Sequence, residues 1–119
     1  MQYRNAKNGD SLSILGYGCM RFTRKGKGID LDKAEAEVME AIKLGVNYFD
    51  TAWLYPGSEE ALGTIFTRNE CRSDVMIAAK IPQYLVRKAA DFDKYFEEEC
   101  KRLQTDYIDY YLMHMLADR

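Results

Sequence analysis

Four short apolar segments punctuate the chain, Ile14 to Gly18, Val46 to Phe49, Val75 to Ala79 and Tyr107 to Met113. They are rich in β-branched and aromatic residues, which predicts strands. Because they lack clean polar alternation, they predict burial on both faces, the condition of parallel strands covered by helices. Between them the period changes. Leu31, Ala34, Val38, Ala41, Ile42 and Gly45 recur at three- and four-residue steps, predicting an amphipathic helix with Asp30 or Asp32 as N-cap and Gly45 as terminator. Ser58 can cap a shorter helix whose apolar side is Ala61, Leu62, Ile65 and Phe66. Before the last strand, Ala89, Phe92, Phe96, Cys100 and Leu103 form one stripe. Glu97 with Lys101 and Glu98 with Arg102 form i,i+4 pairs on the opposite side, so Cys100 reads most simply as a core residue.

Strand, helix, strand, helix, strand, helix, strand is the order that folds into a parallel sheet with right-handed crossovers. A hairpin is expected before it, Gln2 to Arg4 against Ser11 to Ser13, turning at Asn8-Gly9, the favoured type I′ pair. The 119 residues leave room for one domain with a core and no second one.

Charge and cysteine content narrow the function. Lys and Arg number 17 against 19 Asp and Glu, so the chain has no overall basic field to hold nucleic acid or an anionic membrane. The longest apolar run, Val75 to Ala79, falls far short of the roughly twenty residues of a membrane span. The first residues, Met1 to Asn5, lack the apolar stretch of a secretory signal, so the cytoplasm, with reduced thiols, is the expected compartment. Cys19, Cys71 and Cys100 lie far apart beside a single histidine, a pattern that speaks against a structural zinc site.

In a parallel βα sheet, barrel or open, ligands bind at the carboxyl ends of the strands. Gly18 and Cys19 close the first predicted strand, Asp50 the second, Lys80 the third and His114 the fourth, and Tyr55 lies in the loop beyond Asp50. These are residue types that move protons. A phenol is a poor acid near neutrality, but an adjacent ammonium stabilises its phenolate, and Lys80 can supply that charge. Asp50 would keep Lys80 protonated and oriented, and His114 can donate a hydrogen bond to a substrate carbonyl.

Each residue also has a plainer reading: Asp50 as a loop cap, Tyr55 as a turn residue before Pro56-Gly57, Lys80 as a solvated strand end and His114 as a structural histidine. Convergence of all four on one rim favours the chemical reading. Arg21, Arg24, Lys25 and Lys27 form a basic loop, read as solvated in preference to a phosphate contact. Gly16 and Gly18 lack the third glycine of a dinucleotide fingerprint. Asp109, inside the last strand, must face a polar interior or pair with a neighbour that the sequence does not name.

Leu15-Gly16-Tyr17-Gly18-Cys19-Met20-Arg21, Gly45-Val46-Asn47-Tyr48-Phe49-Asp50-Thr51-Ala52-Trp53-Leu54-Tyr55, then Lys80 and His114 resemble the aldo-keto reductase family over nearly the whole chain. The Gly-Val-Asn-x-Phe-Asp-Thr-Ala-x-x-Tyr segment is the most specific piece. The resemblance implies a TIM-type (β/α)8 barrel that reduces an aldehyde or ketone with NADPH, a small-molecule carbonyl being the substrate. Of that barrel, residues 1–119 would form a single partial domain, the N-terminal half with about four βα units.

By the same resemblance Tyr55 is the general acid, Lys80 and Asp50 tune it, His114 orients the substrate, and Gly18, Cys19, Met20 and Asp50 lie at the nicotinamide. The Gly-Cys-Met-Arg piece is most similar to the branch that often carries a C-terminal iron-sulfur segment, absent here. The family's later strands supply most of its cofactor contacts. A half-barrel also leaves sheet edges and an inner face uncovered, so self-association is expected. Two other readings stay open: a non-enzymatic regulatory or binding module, and an inactive fragment of the same fold.

Overall fold

The computed structural model describes residues 1–117. A two-stranded hairpin, β1 (Tyr3–Asn5) with β2 (Ser11–Ser13), opens the chain, followed by β3 (Tyr17–Gly18) and a second small hairpin, β4 (Arg24–Lys25) with β5 (Gly28–Ile29). Then come α1 (Leu31–Lys43), β6 (Tyr48–Asp50), α2 (Ser58–Arg68), β7 (Met76–Ile81), α3 (Ala89–Leu103) and β8 (Tyr110–Met113). Strands β3, β6, β7 and β8 form one parallel sheet in that order. This is the N-terminal hairpin and half-barrel architecture expected from the sequence.

Alternation along the strands separates core from site. Phe49 pairs with Ile77, and Ala79 with Tyr111, so these residues share one face of the sheet. Phe49, Ile77 and Ala79 are fully buried there with Ala34 and Val38 of α1, Leu62, Ile65 and Phe66 of α2, and Leu103 of α3. The Phe49 and Phe66 rings meet edge to face at 5.3 Å. The opposite face carries Asp50, Ala78, Lys80 and Leu112.

Local chemistry sets the element ends. Asp30 caps α1, accepting from the Lys33 amide at 3.2 Å, and Gly45, at φ 97°, turns the chain into β6. The first hairpin differs from a two-residue type I′ turn: the Gly9 amide donates to Ala6 O at 3.0 Å, and Gly9 alone in the loop takes positive φ. That is a type I turn closed by a left-handed glycine, because Asn8 spends its side chain on Asp10 rather than on a left-handed backbone. The start of α2 also differs. Gly57 is its N-cap, at φ 76°, and the Ser58 hydroxyl is turned inward to other partners.

The strands are shifted or shorter than the apolar runs suggest, because pairing stops where the neighbour ends: β3 covers only Tyr17 and Gly18, and β8 begins at Tyr110. Asp109, just before β8, finds its partner in Arg72, whose guanidinium lies 2.9 Å away, and it also accepts from the Ile77 amide at 2.9 Å. Arg72 donates further to Val75 O and Tyr107 O, and lies over the Tyr107 ring, which fixes the entry to β8.

On α3 the stripe is only partly used. Leu103 is buried, Cys100 half-buried and Phe92 exposed, while Glu99 is fully buried. Of the two i,i+4 pairs only Glu98 with Arg102 closes, at 2.6 Å, as Arg102 also reaches Glu59 and Glu60 of α2 and the Trp53 carbonyl. The helices can approach this closely because position 63 has no side chain. A Cβ on Gly63 would lie 2.4 Å from the Arg102 carbonyl oxygen.

Glu59 and Glu99 are therefore carboxyls enclosed at the α2–α3 contact. Burial pushes Glu59 up to about 7 against the pull of Arg102. Burial, reinforced by the nearby Glu59 charge, pushes Glu99 up to about 8 against the pull of the Tyr111 hydroxyl and Arg102. Both folded values lie above the ordinary carboxylate range, so between about pH 4.5 and 8 these two groups hold more protons in the folded chain than in the unfolded one and contribute stability that fades as pH rises.

Thermal melts followed by circular dichroism should show a midpoint falling between pH 5 and pH 8. Glu99→Gln should remove most of the fall, raising the midpoint at pH 8 by roughly 5 °C or more; equal slopes in the two proteins would contradict the assignment. Gly63→Ala should cost about 1–3 kcal/mol in urea unfolding, since the clash is with backbone.

Candidate active site

The site grows from the ends of β6, β7 and β8 and the loop after β6. Asp50 ends β6, and Lys80 stands two residues beyond Ala78, its pairing partner's position on β7, on the same face. Diagonal neighbours of one face can meet through a long side chain. Lys80 Nζ donates to Asp50 Oδ2 at 2.6 Å and to the Thr51 carbonyl at 2.9 Å. Both side chains are mostly shielded from solvent.

Tyr55 comes to the same place by a loop of short turns. Its amide donates to Ala52 O at 3.0 Å, and the Ser58 amide donates to its carbonyl at 3.0 Å. The loop is held from outside by the β4–β5 hairpin: Arg24 Nη2 donates to Pro56 O at 2.9 Å, and Ile29 lies against Gly57. One cation of the basic loop thus supports the Tyr55 turn. Lys80 Nζ lies 5.1 Å from the Tyr55 ring centroid.

His114 follows β8, its amide donating to Ile81 O at 3.2 Å, and its ring meets that of Tyr55 edge to face at 5.7 Å. Burial, with Lys80 nearby, lowers its pKa from the usual histidine value, so it is a neutral imidazole at pH 7. Its Nδ1 is buried without a protein partner among the described residues. Asp50, Tyr55, Lys80 and His114 thus form one connected cluster: carboxylate to ammonium, ammonium to phenol ring, phenol ring to imidazole.

The remaining rim positions are laid out differently. Gly18 is opposite Asp50 in the sheet, with open space where a Cβ would be. Met20 is exposed. Cys19 is wholly buried, its thiol turned toward Tyr17 O and pushed up by burial. What it presents to the rim is backbone, and both polar backbone groups are engaged: its amide donates to Asp50 O at 2.8 Å, and its carbonyl accepts from Ser58 Oγ at 2.8 Å.

Two positioning residues escape sequence reasoning, Thr51 and Ser58. Thr51 Oγ1 and Ser58 Oγ lie 2.8 Å apart, both buried. Since the single Ser58 proton goes to Cys19 O, Thr51 is the donor in the pair. This chain of hydroxyls ties the end of β3, the end of β6 and the first turn of α2 together directly beneath the cluster. The hint in the sequence was Ser58 itself, whose position at a helix start suggested an ordinary cap.

Comparison with known proteins follows the same lines. The model of the Aldo/keto reductase family matches residues 14–117. L-galactose dehydrogenase of Arabidopsis thaliana is 35% identical over 109 residues, covering 85% of this chain and 34% of that protein. The aldo-keto reductase of Bacillus halodurans in its holo form superimposes with a TM-score of 0.77 at 33% identity, over 94% of this chain and 40% of that one. The aldo-keto reductase of Klebsiella pneumoniae in complex with NADPH gives a TM-score of 0.82 at 26% identity, over 99% and 40%. The chain spans about a third of the length of the curated relatives it matches.

Replacing Ser58 by Ala should leave the Cys19 carbonyl buried without a partner and cost about 1–3 kcal/mol in urea unfolding. A loss under a few tenths of that would show that the hydroxyl chain does not hold the rim.

Proposed function

This chain belongs to the aldo/keto reductase family, and from that membership we propose that it is the acid–base half of an NADPH-dependent reductase of aldehydes or ketones. The observation that carries the reading is the contact chain Asp50–Lys80–Tyr55–His114 on one rim. NADPH, when bound, supplies a hydride to the carbonyl carbon. The open space at Gly18 beside Asp50 fits a planar ligand at this rim.

The chain's own groups do the rest. Neutral His114 offers one ring N–H, which can hold a carbonyl oxygen in place without competing for its proton. The Tyr55 phenol gives its proton to that oxygen as negative charge develops there. Charge then passes to the phenol oxygen, where the Lys80 ammonium stabilises it; Asp50, at 2.6 Å, keeps the lysine charged and aimed. In this reading Gly18, Met20 and the Cys19 backbone border the nicotinamide. A cytoplasmic setting agrees with three unpaired cysteines.

The test is turnover of NADPH with an aromatic aldehyde by the 119-residue chain and by Tyr55→Phe. The variant should lose about 100-fold or more of the rate. An unchanged rate removes Tyr55 from its role. No wild-type turnover above the uncatalysed reaction, together with no binding in a fluorescence titration with NADPH, overturns the enzymatic reading of this chain.

A further inference from the structure

Tyr55 is carried by two consecutive turns. The first, Ala52 to Tyr55, is closed by the Tyr55 amide on Ala52 O, with Trp53 and Leu54 at its centre. The second, Tyr55 to Ser58, is closed by the Ser58 amide on Tyr55 O, with Pro56 and Gly57 at its centre. Gly57 takes φ 76° and ψ −4°, so with Pro56 before it the second turn is type II. Leu54 lacks the positive φ that type II demands, so the first turn is of another type. Turn types differ in which way the central peptide points, and the carbonyl of that peptide is therefore the group whose partner fixes each turn.

In both turns a guanidinium takes that carbonyl. Arg102 Nη1, on α3, donates to Trp53 O at 3.1 Å, and Arg24 Nη2, on the β4–β5 hairpin, donates to Pro56 O at 2.9 Å. Among the described residues no other side chain bonds the backbone between Ala52 and Gly57. We propose that Arg102 and Arg24 are positioning residues that clamp the two turns, one from α3 and one from the hairpin, and so hold the Tyr55 ring against Lys80 and His114.

The plainer role of Arg102, countering Glu59, Glu60 and Glu98, does not account for its bond to the loop. Nη1 lies nearer the Trp53 carbonyl, at 3.1 Å, than Glu59, at 3.4 Å, and the guanidinium stands over the Trp53 ring at 5.1 Å. The carboxylates aim it: Glu98 accepts from Nη2 at 2.6 Å, which leaves Nη1 turned to the loop. Trp53 is tied at its amide as well, which donates to Lys80 O at 3.2 Å. The first turn is thus fastened to both β7 and α3, and Tyr55 stands where these two elements put it. Arg102 is mostly shielded and Arg24 is exposed, so the clamp from α3 is the stronger one. That Tyr55 is the group worth holding rests on the reductase reading; the clamp itself does not, and its test uses neither cofactor nor substrate.

His114 is the single histidine of the chain, and its ring meets the Tyr55 ring at 5.7 Å, so its Cε1–Hε1 NMR signal reports where that ring stands. At pH 7, Tyr55→Leu in the 119-residue chain gives the shift for complete loss of the ring. Arg24→Ala should move the signal part of that way. Arg102→Met combined with Glu59→Gln, which spares Glu59 an unpaired buried charge, should move it further. In the Tyr55→Leu background neither change should move it. A signal unmoved in either folded variant overturns the proposal, as does a movement of equal size with and without the Tyr55 ring. If the Arg102 variant loses its far-UV circular dichroism, Arg24→Ala decides by the same two comparisons. An absence of turnover bears on the reductase reading and leaves these shifts as they are.

Discussion

The two-residue period of the parallel strands is the constraint on which the rest depends. With Phe49 and Ile77 buried against the helices, Asp50 and Lys80 are forced to the other face. There the register leaves them diagonal to each other, and their charges meet at 2.6 Å. A slip of one residue would bury the ion pair among Leu62, Ile65 and Phe66 and turn the aromatics outward. Core packing and placement of the candidate site are therefore one fact, and the energy of burying the aromatic face aligns the acid–base groups.

The tightest energetic compromise lies away from that site. Gly63 brings α3 close to α2, and the closeness encloses Glu59 and Glu99 with a single guanidinium, that of Arg102, among them. Fewer positive than negative groups in a confined space leaves the carboxyls resisting ionisation. The contact is well packed near the acid end of its range and strained above neutrality. At the entry to β8 the balance differs: Arg72 serves Asp109 and two carbonyls, so this partly buried ion pair is well matched.

Family membership and half-barrel architecture agree on what this chain contains. The superposition on whole barrels covers nearly all of this chain and 40% of each of those. What the chain contains is a coherent piece, with its own core on the helical side and the acid–base cluster on the other.

Much of this was legible in residues alone. Apolar runs of strand length alternating with helical periods determined the βα order, Asp30 and Gly45 determined the limits of α1, and strand-end positions singled out Asp50, Lys80 and His114, because these signals are local and repeat with a known period. Tertiary structure decided the rest. It turned the Ser58 hydroxyl from a cap into a link to Cys19 and Thr51, gave Asp109 its partner 37 residues away, buried Glu99 where the stripe suggested Phe92, and turned the Cys19 thiol into the core. Each of those outcomes depends on which distant backbone or side chain arrives at contact distance, and a linear pattern holds no record of that distance.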